Sequence, residues 1–355
     1  MNICFIIDDW DAINPENNST LRLIHEASLR GHTVAILYPS GLTIRNNITY
    51  GFVRLLAPFP KKADKIELFY KKTALKEVLL PITGFDAVCI RKDPPLDNIM
   101  LNFLDSVKDE VFIFNDIDGM RKANNKIYTA SFHDPKNSYL PITYVSKNKT
   151  YLKRVIEESS RDKMILKPIN AFGGSGVIIL EKKARHNIDS LLDFYINRAG
   201  EKSYVIVQEY IEGAEAGDIR VLLLNGQPIG AYKRIPQNGD LRSNLKAGGR
   251  AVKYELGPND LKICEQISEK LVADGLYFVG IDIINEKLIE VNVQSPGGIC
   301  NINRFNRVKL QKKVLDFVEK KATKKFEYLQ KREYLMQQKQ EFSAEIRNCT
   351  SPKLF

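Results

Sequence analysis

The sequence predicts an α/β protein with an α+β arrangement in its C-terminal part, and three observations carry that reading. Residues 1–115 alternate short apolar runs with helical stretches, the pattern of a parallel sheet with helices on both faces. From Lys163 onward the chain is strand-rich. From Gln311 it becomes rich in Lys, Gln and Glu, which suits a long terminal helix. At 355 residues the chain is long enough for two or three domains.

The first strand is Ile3–Ile7. The N-terminus is apolar for only a few residues and then acidic, so it lacks the basic start and longer apolar run of a secretory signal. Ser19 or Thr20 can cap a helix that runs to Arg30, and Gly31 sits where a helix stop belongs. Thr33–Leu37, Phe85–Ile90 and Val111–Phe114 read as further strands. A helix is expected from Gly119 to about Phe132, then a loop punctuated by Pro135 and Pro141, then a helix over Thr150–Ser159. The strands that follow are Lys163–Pro168, Gly176–Glu181, Tyr204–Tyr210, Ile219–Leu224, Pro228–Ile235, Phe278–Ile284 and Lys287–Val293. Asn225-Gly226 signals a hairpin turn. In the last segment Ala322, Phe326, Leu329, Met336 and Phe342 form a patchy apolar stripe. Such a stripe is expected to pack on its own domain or a neighbouring subunit rather than serve as a dedicated partner-binding tail.

Hydrophobic residues make up 44% and charged residues 27%, ordinary values for a soluble globular protein. The five cysteines are scattered and odd in number, which favours a reducing, cytoplasmic location over a disulfide scaffold. No stretch approaches the ~18 apolar residues of a membrane span. The net charge of +10 is compatible with nucleic acid, an anionic membrane or small anionic substrates; no nucleic-acid motif is present, and charge alone decides little. His25, His32, His133 and His186 are isolated, and no Ser/His/Asp or Cys/His arrangement stands out.

Four groups of residues carry chemistry. Lys167 lies on a strand that leads into Phe172-Gly-Gly-Ser-Gly-Val177. Glycines let backbone N–H groups approach phosphate oxygens, so Gly173, Gly174, Ser175 and Gly176 can cradle an anion. The Gly-Lys-Ser/Thr ending of a Walker loop is absent. Asp282, Glu290 and Asn292 form the second group. A three-residue turn at Asn285-Glu286-Lys287 places Asp282 opposite Glu290, with Asn292 on the same face. Three such oxygen donors suit magnesium. The third group is Arg220, Arg234, Arg242 and Arg250, the last two in a Gly- and Asn-rich loop over Pro236–Arg250. Arginines in a mobile loop fit a lid that closes over a reactive intermediate and excludes water. The fourth is Arg91, which follows a strand end, where ligands of open α/β sheets bind.

In this order the residues resemble bacterial glutathione synthetases of the ATP-grasp superfamily. The resemblance rests on Arg91-Lys-Asp-Pro-Pro95, Met120-Arg-Lys-Ala-Asn-Asn-Lys126 with Tyr128-Thr-Ala130, Ile165-Leu-Lys-Pro168, Gly173-Gly174 and Gly217-Asp-Ile-Arg-Val221. It continues through Arg234-Ile-Pro-Gln237, Ala247-Gly-Gly-Arg250, Phe278–Ile284, Glu290-Val-Asn-Val293 and Ser295-Pro296, spanning roughly residues 1–300. It implies a Rossmann-like N-terminal substrate domain (1–118), an ATP-grasp domain (119–318, with a lid at 236–249) and a basic helical tail (319–355). It implies ATP-driven ligation of γ-glutamylcysteine to glycine through an acyl phosphate.

Carried over by position, Lys126, Lys167 and the Gly173–Gly176 loop meet ATP phosphates. Gln208, Glu209, Tyr210 and Ile211 form the hinge at adenine, with Asp218 nearby. Asp282, Glu290 and Asn292 hold Mg2+ or Mn2+. Arg91, Arg234, Asn244, Arg250 and Ser295 bind the dipeptide, and Arg220, Arg234 and Arg250 serve the reacting groups. The family is commonly homotetrameric, and no nucleic-acid or membrane partner is implied. After Ser295-Pro296 the chain reads Gly297-Gly-Ile-Cys-Asn-Ile-Asn-Arg304, where the family leads one to expect a Thr and an Arg-Glu pair near the acceptor. Glycine is the default acceptor, and another small amino acid or a peptide is the alternative. A non-catalytic ATP-binding module is the remaining reading.

Overall fold

A computed structural model describes the chain except residues 59–64, 171–172, 182, 184–186, 198–201, 238–242, 246–247 and 351–355, and the side chains of 344–350. The described residues form three sheets. The first contains β1 (Asn2–Ile6), β2 (Thr33–Leu37), β3 (Leu42–Arg45), β4 (Ile48–Leu56), β5 (Leu75–Pro81), β6 (Ala87–Ile90) and β7 (Phe112–Phe114). Helices α1 (Ser19–Leu29), α2 (Ile66–Lys72) and α3 (Asn98–Asp105) connect them. Strands β2, β1, β6 and β7 are parallel neighbours.

The expected all-parallel sheet is corrected by the other three strands. β4 pairs antiparallel with β2, and β3 and β5 pair antiparallel with β4. The turn that reverses β3 into β4 is Asn46-Asn47, both at positive φ (51° and 63°), a conformation asparagine tolerates better than most residues.

Past β7 come two short helices, α4 (Ile117–Lys122) and α5 (Ile127–Ala130), in place of the single helix expected to about Phe132. The Asn124-Asn125 pair breaks it: the Asn125 side chain accepts the Ile127 N–H, and the Lys126 N–H leaves the helix for the Ile169 carbonyl. The second sheet has order β10-β9-β11-β8, from β8 (Thr143–Ser146), β9 (Lys163–Pro168), β10 (Ile178–Glu181) and β11 (Val205–Glu209). It carries α6 (Lys149–Glu158) and α7 (Ile188–Ile196). The third, order β14-β13-β12-β15-β16, holds β12 (Asp218–Leu224), β13 (Gln227–Ile235), β14 (Arg250–Lys253), β15 (Phe278–Ile284) and β16 (Lys287–Asn292), with α8 (Pro258–Ala273) between β14 and β15. Asn225 and Gly226 both take positive φ, as a tight β12–β13 hairpin requires.

The apolar interior falls into three clusters. One joins Ile6 and Val88 of the first sheet to Val221 and Ile281 of the third, and another joins Ile3 and Phe5 to Leu222 and Phe278. The second sheet has a cluster of its own, around Leu152, Leu166, Leu192 and Val207. A cleft lies between it and the β15–β16 side of the third sheet, lined by Lys167 and Gln208 on one side and Ile289 on the other.

The chain closes with α9 (Ile299–Asn306) and the 41-residue α10 (Leu310–Thr350). Leu310, Val314, Leu315, Val318 and Ala322 are buried in the second cluster. Arg30 pairs with Asp316 at 2.7 Å and Glu319 at 3.0 Å, pinning α10 to α1. The expected packing face thus ends at Ala322. Phe326, Met336 and Phe342 are exposed, as are Tyr328, Tyr334 and Leu335.

Candidate active site

The β15–β16 hairpin brings the two predicted carboxylates together, by a different route from the three-residue turn. The turn has two residues, Asn285 and Glu286, both at positive φ, and pairs Ile284 with Lys287 and Ile283 with Leu288. A bulge then absorbs Ile289, so that Asp282 faces Glu290 and Gly280 faces Asn292. Asn292 Nδ2 donates to Asp282 Oδ2 at 3.2 Å.

Asp282 is buried between two guanidinium groups. Arg220, opposite it on β12, donates from Nε at 2.5 Å and from Nη2 at 3.0 Å, a bidentate fork. Arg234 on β13 reaches Asp282 at 2.9 Å and holds Asp218 through two bonds of 2.6 Å. The Ser243 hydroxyl adds a 2.6 Å bond to Asp218. Burial alone raises a carboxyl pKa, but Arg220 and Arg234 outweigh it at Asp282 and hold it down at about 2. At Asp218 burial and the charge of Asp282 win, and its pKa is raised. Gly217 makes this packing possible: its φ is 96°, and a Cβ there would lie 1.9 Å from the Arg234 carbonyl oxygen.

Two lysines face this cluster. Lys126 Nζ pairs with Glu290 Oε1 at 2.6 Å, so the broken helix places it at the hairpin. Lys167, on β9, is buried and donates to Gln208 Oε1 at 2.8 Å, while Gln208 Nε2 donates to Thr143 Oγ1 at 2.7 Å. Burial and the charge of Lys126 push its pKa down to about 8. A cleft between the sheets is lined by Lys126, Thr143, Lys167, Gln208 and Ile289. A second runs from Pro94 past Lys126 to Glu290 and Asn292. At the strand end Glu209 is buried and ion-paired with Arg161, Tyr210 donates to Glu215 at 3.0 Å, and Ile211 follows, half-buried.

Gly173, Gly174 and Gly176 all sit at positive φ (64°, 73° and 68°), and Ser175 is exposed between them. Asn244 Nδ2 donates to the Gly173 carbonyl at 2.9 Å, which ties the predicted lid to the glycine loop. Arg250 opens β14, exposed and away from the Asp282 cluster's hydrogen bonds. Phe172 and Arg242 lie outside the described residues.

Arg91 is buried at the end of β6. It donates to Thr20 Oγ1 at 3.0 Å and to the Pro296 carbonyl at 3.1 Å, beside Ser295 at φ 39°. Burial pushes its pKa down to about 10. Here the expected cap is corrected: Asn18 caps α1, and the Ser19 hydroxyl instead accepts the N–H groups of Gly298 and Ile299. The stretch Gly297–Arg304 contains no Arg-Glu pair, and the guanidinium against its Cys300 is that of Arg22.

The family model for the prokaryotic glutathione synthetase N-terminal domain matches residues 1–121, and that for the ATP-grasp domain of the same enzymes matches 125–307. The chain belongs to the prokaryotic glutathione synthetase family. A curated glutathione synthetase of Gloeobacter violaceus is 33% identical over 327 residues, covering 90% of this chain and 96% of that one. One from Synechococcus elongatus is 34% identical over 324 residues, covering 87% and 95%. Among solved structures, a D-cycloserine synthetase aligns with a TM-score of 0.61 at 13% identity, covering 91% of this chain and 99% of that one. D-alanyl-alanine synthetase A of Vibrio cholerae aligns with 0.58 at 12% identity, covering 91% and 98%. The fold is ATP-grasp, and the chain is an ATP-dependent ligase of glutathione biosynthesis. Glutathione synthetases with this domain use ATP and, as a class, a divalent metal.

Thr143, Ser243, Arg161 and Arg22 were not singled out in the sequence. Each is a lone residue whose partner lies more than 20 positions away, so no local pattern marks it.

Proposed function

We propose that this ligase joins γ-glutamylcysteine to glycine through an acyl phosphate. The observation that supports this most is the buried Arg220–Asp282–Arg234–Asp218 network set beside the Asp282–Glu290 pair. A carboxylate does not acylate an amine in water at neutral pH. Transfer of the γ-phosphoryl group from ATP to the C-terminal carboxylate of γ-glutamylcysteine releases ADP and makes an electrophile. The glycine amine attacks the acyl carbon, loses a proton, and phosphate departs.

In this reading Lys126, Lys167 and the Gly173–Gly176 loop bind the phosphates, and Gln208 to Ile211 with Asp218 border the base. Arg220 and Arg234 stabilise charge that develops on the transferring group and the tetrahedral oxyanion. Arg91, Asn244, Arg250 and Ser295 meet the dipeptide. The 236–249 segment closes over the intermediate and keeps water out. Asp282, Glu290 and Asn292 offer hard oxygen donors only, a chemistry that fits Mg2+ or Mn2+. Among the described residues no three His, Cys, Asp or Glu side chains converge, and in this reading the Asn292 carboxamide would be the third donor. Bound there with ATP, the ion supplies neutralisation of phosphate charge. The division at 118 and 318 is supported by the break between the two family matches at 121–125 and by the burial of α10 only to Ala322. A cytoplasmic site of action is supported by four free thiols at Cys4, Cys89, Cys264 and Cys300. No helix among the described residues is long and apolar enough to cross a membrane. Homotetramer formation follows from the family resemblance and is tested by sedimentation.

Hydroxylamine traps an acyl phosphate as a hydroxamate. With ATP and γ-glutamylcysteine but no glycine, hydroxamate and ADP are expected in equal amounts; ADP without hydroxamate contradicts the intermediate. The departure at Gly297–Arg304 favours a second reading, another small amino acid as acceptor, and phosphate release across an acceptor panel separates the two.

A further inference from the structure

Two guanidinium groups border the loop between β16 and α9, and neither is paired with a carboxylate among the described residues. Arg91 is 4% exposed and bonded only to a hydroxyl and a carbonyl. Arg22, on α1, donates from Nε to Cys300 Sγ at 2.9 Å and from Nη2 to the Glu16 carbonyl at 3.2 Å. A thiol sulfur is a weak acceptor and a carbonyl is neutral, so both bonds leave the Arg22 charge uncompensated. Elsewhere in the molecule partly buried arginines carry carboxylates, as Arg30 does with Glu26, Asp316 and Glu319.

The loop between these cations is continuous with the reacting groups. A Cβ built on Gly280 would lie 3.2 Å from Arg220 Nη1 and 3.3 Å from Pro296 Cβ, so Pro296 packs where Arg220 does. The next residue, Gly297, has open space where its side chain would be. Gly298 and Ile299 are tied to α1 by Ser19, which fixes Arg22 against the start of α9. The seam therefore offers open space beside Gly297 and an unneutralised cation, on the loop whose Pro296 packs where Arg220 does.

We propose that Arg22 binds the α-carboxylate of the acceptor amino acid. This rests on the ligase reading above. Arg91, at the end of β6, is the cation assigned to the donor dipeptide, and Arg22 is the one left for the second carboxylate-bearing substrate. An acceptor lacking the carboxylate, such as glycinamide, is then discriminated against by this one side chain.

The test compares wild type with Arg22→Ala, Arg22→Lys and the pair Arg22→Ala/Cys300→Arg by phosphate release, with γ-glutamylcysteine, ATP and either glycine or glycinamide. Wild-type turnover with glycine is established first; without it the glycine-acceptor reading fails, and the test of Arg22 moves to the acceptor that the panel identifies. Given turnover, Arg22→Ala is expected to raise KM for glycine by about 10- to 100-fold, the worth of a hydrogen bond to a charged group. KM for ATP and γ-glutamylcysteine should hold, and the preference for glycine over glycinamide should collapse. Lysine should restore part of the effect. Cys300→Arg should restore part as well, because it returns a guanidinium to the place where Arg22 meets Cys300. An unchanged KM for glycine overturns the proposal. So does a rise in KM for γ-glutamylcysteine alone, which assigns Arg22 to the donor.

Discussion

Lys167 is a buried amine whose hydrogen-bond partner is an amide, not a carboxylate. Burial and Lys126 hold its pKa at about 8, so its charge is present below that pH and lost above it. A phosphate ligand needs the charged form. We expect kcat/KM for ATP to fall as pH rises through about 8, and Lys167→Arg, which stays protonated, to move that limb to higher pH. A wild-type profile that stays flat across this pH contradicts the role. Glu290 sits differently: partly exposed, it pairs with Lys126 and is two residues from Asn292. Glu290→Ala should lower ligation about 1,000-fold while costing about 1 kcal/mol of stability or less. Wild-type-like turnover in that variant would refute the metal assignment. The buried Arg220–Asp282 pair cannot be probed so cleanly, since removing one partner strands the other charge at a cost of about 3–5 kcal/mol.

At the scale of elements, the β12–β13 hairpin depends on Gly217. Its φ of 96° and the 1.9 Å approach of a Cβ to the Arg234 carbonyl both oppose a side chain. Gly217→Ala should lower stability by about 2–4 kcal/mol in urea unfolding. Gly213, at φ 90° with nothing within 4 Å of a built Cβ, is the control, and its alanine variant should cost about 1 kcal/mol. Equal costs would show that backbone conformation alone sets the effect. The same elements show what the sequence makes legible. The Asp282–Glu290 pairing could be read because hairpin alternation is local, although the bulge at Ile289 that produces it could not. Lys163–Pro168 and Phe278–Ile284 agree with β9 and β15 to the residue, because short β-branched and apolar runs bounded by breakers have sharp ends. Strands β3, β4 and β5 were missed, since Ile48–Leu56 mixes Gly, Arg and Tyr with its apolar residues and its reversal uses Asn-Asn, not Asn-Gly. The helix expected from Gly119 was cut by Asn124-Asn125, and that cut places Lys126 at the site. The seam of Ser19 and Arg22 with the start of α9 joins residues nearly 280 positions apart, beyond any local pattern.

For the whole molecule, the first and third sheets share their apolar clusters while the second keeps its own, and the proposed nucleotide-binding side chains come from both sides of the cleft between them. The helix α10 belongs to the shared core only as far as Ala322, after which Lys325 donates to the Lys108 carbonyl, Leu329 is half-buried, and Phe326, Met336 and Phe342 are exposed. Truncation after Lys325 should therefore shift Tm by no more than about 2 °C and leave ligation intact. Removal from Leu310 deletes five buried apolar side chains, uncovers the cluster they pack against, and should cost more than about 5 kcal/mol. A large loss of stability or a change in sedimentation on the shorter truncation would assign the exposed part of α10 to assembly.

The central claim is tested most directly by incubating the purified full-length protein with ATP, magnesium, γ-glutamylcysteine and glycine, and following products by mass spectrometry beside Glu290→Ala. Glutathione, ADP and phosphate should form one to one to one in the wild type, and only trace glutathione in the variant. ATP cleavage without glutathione, or glutathione formed equally well by Glu290→Ala, would contradict the account.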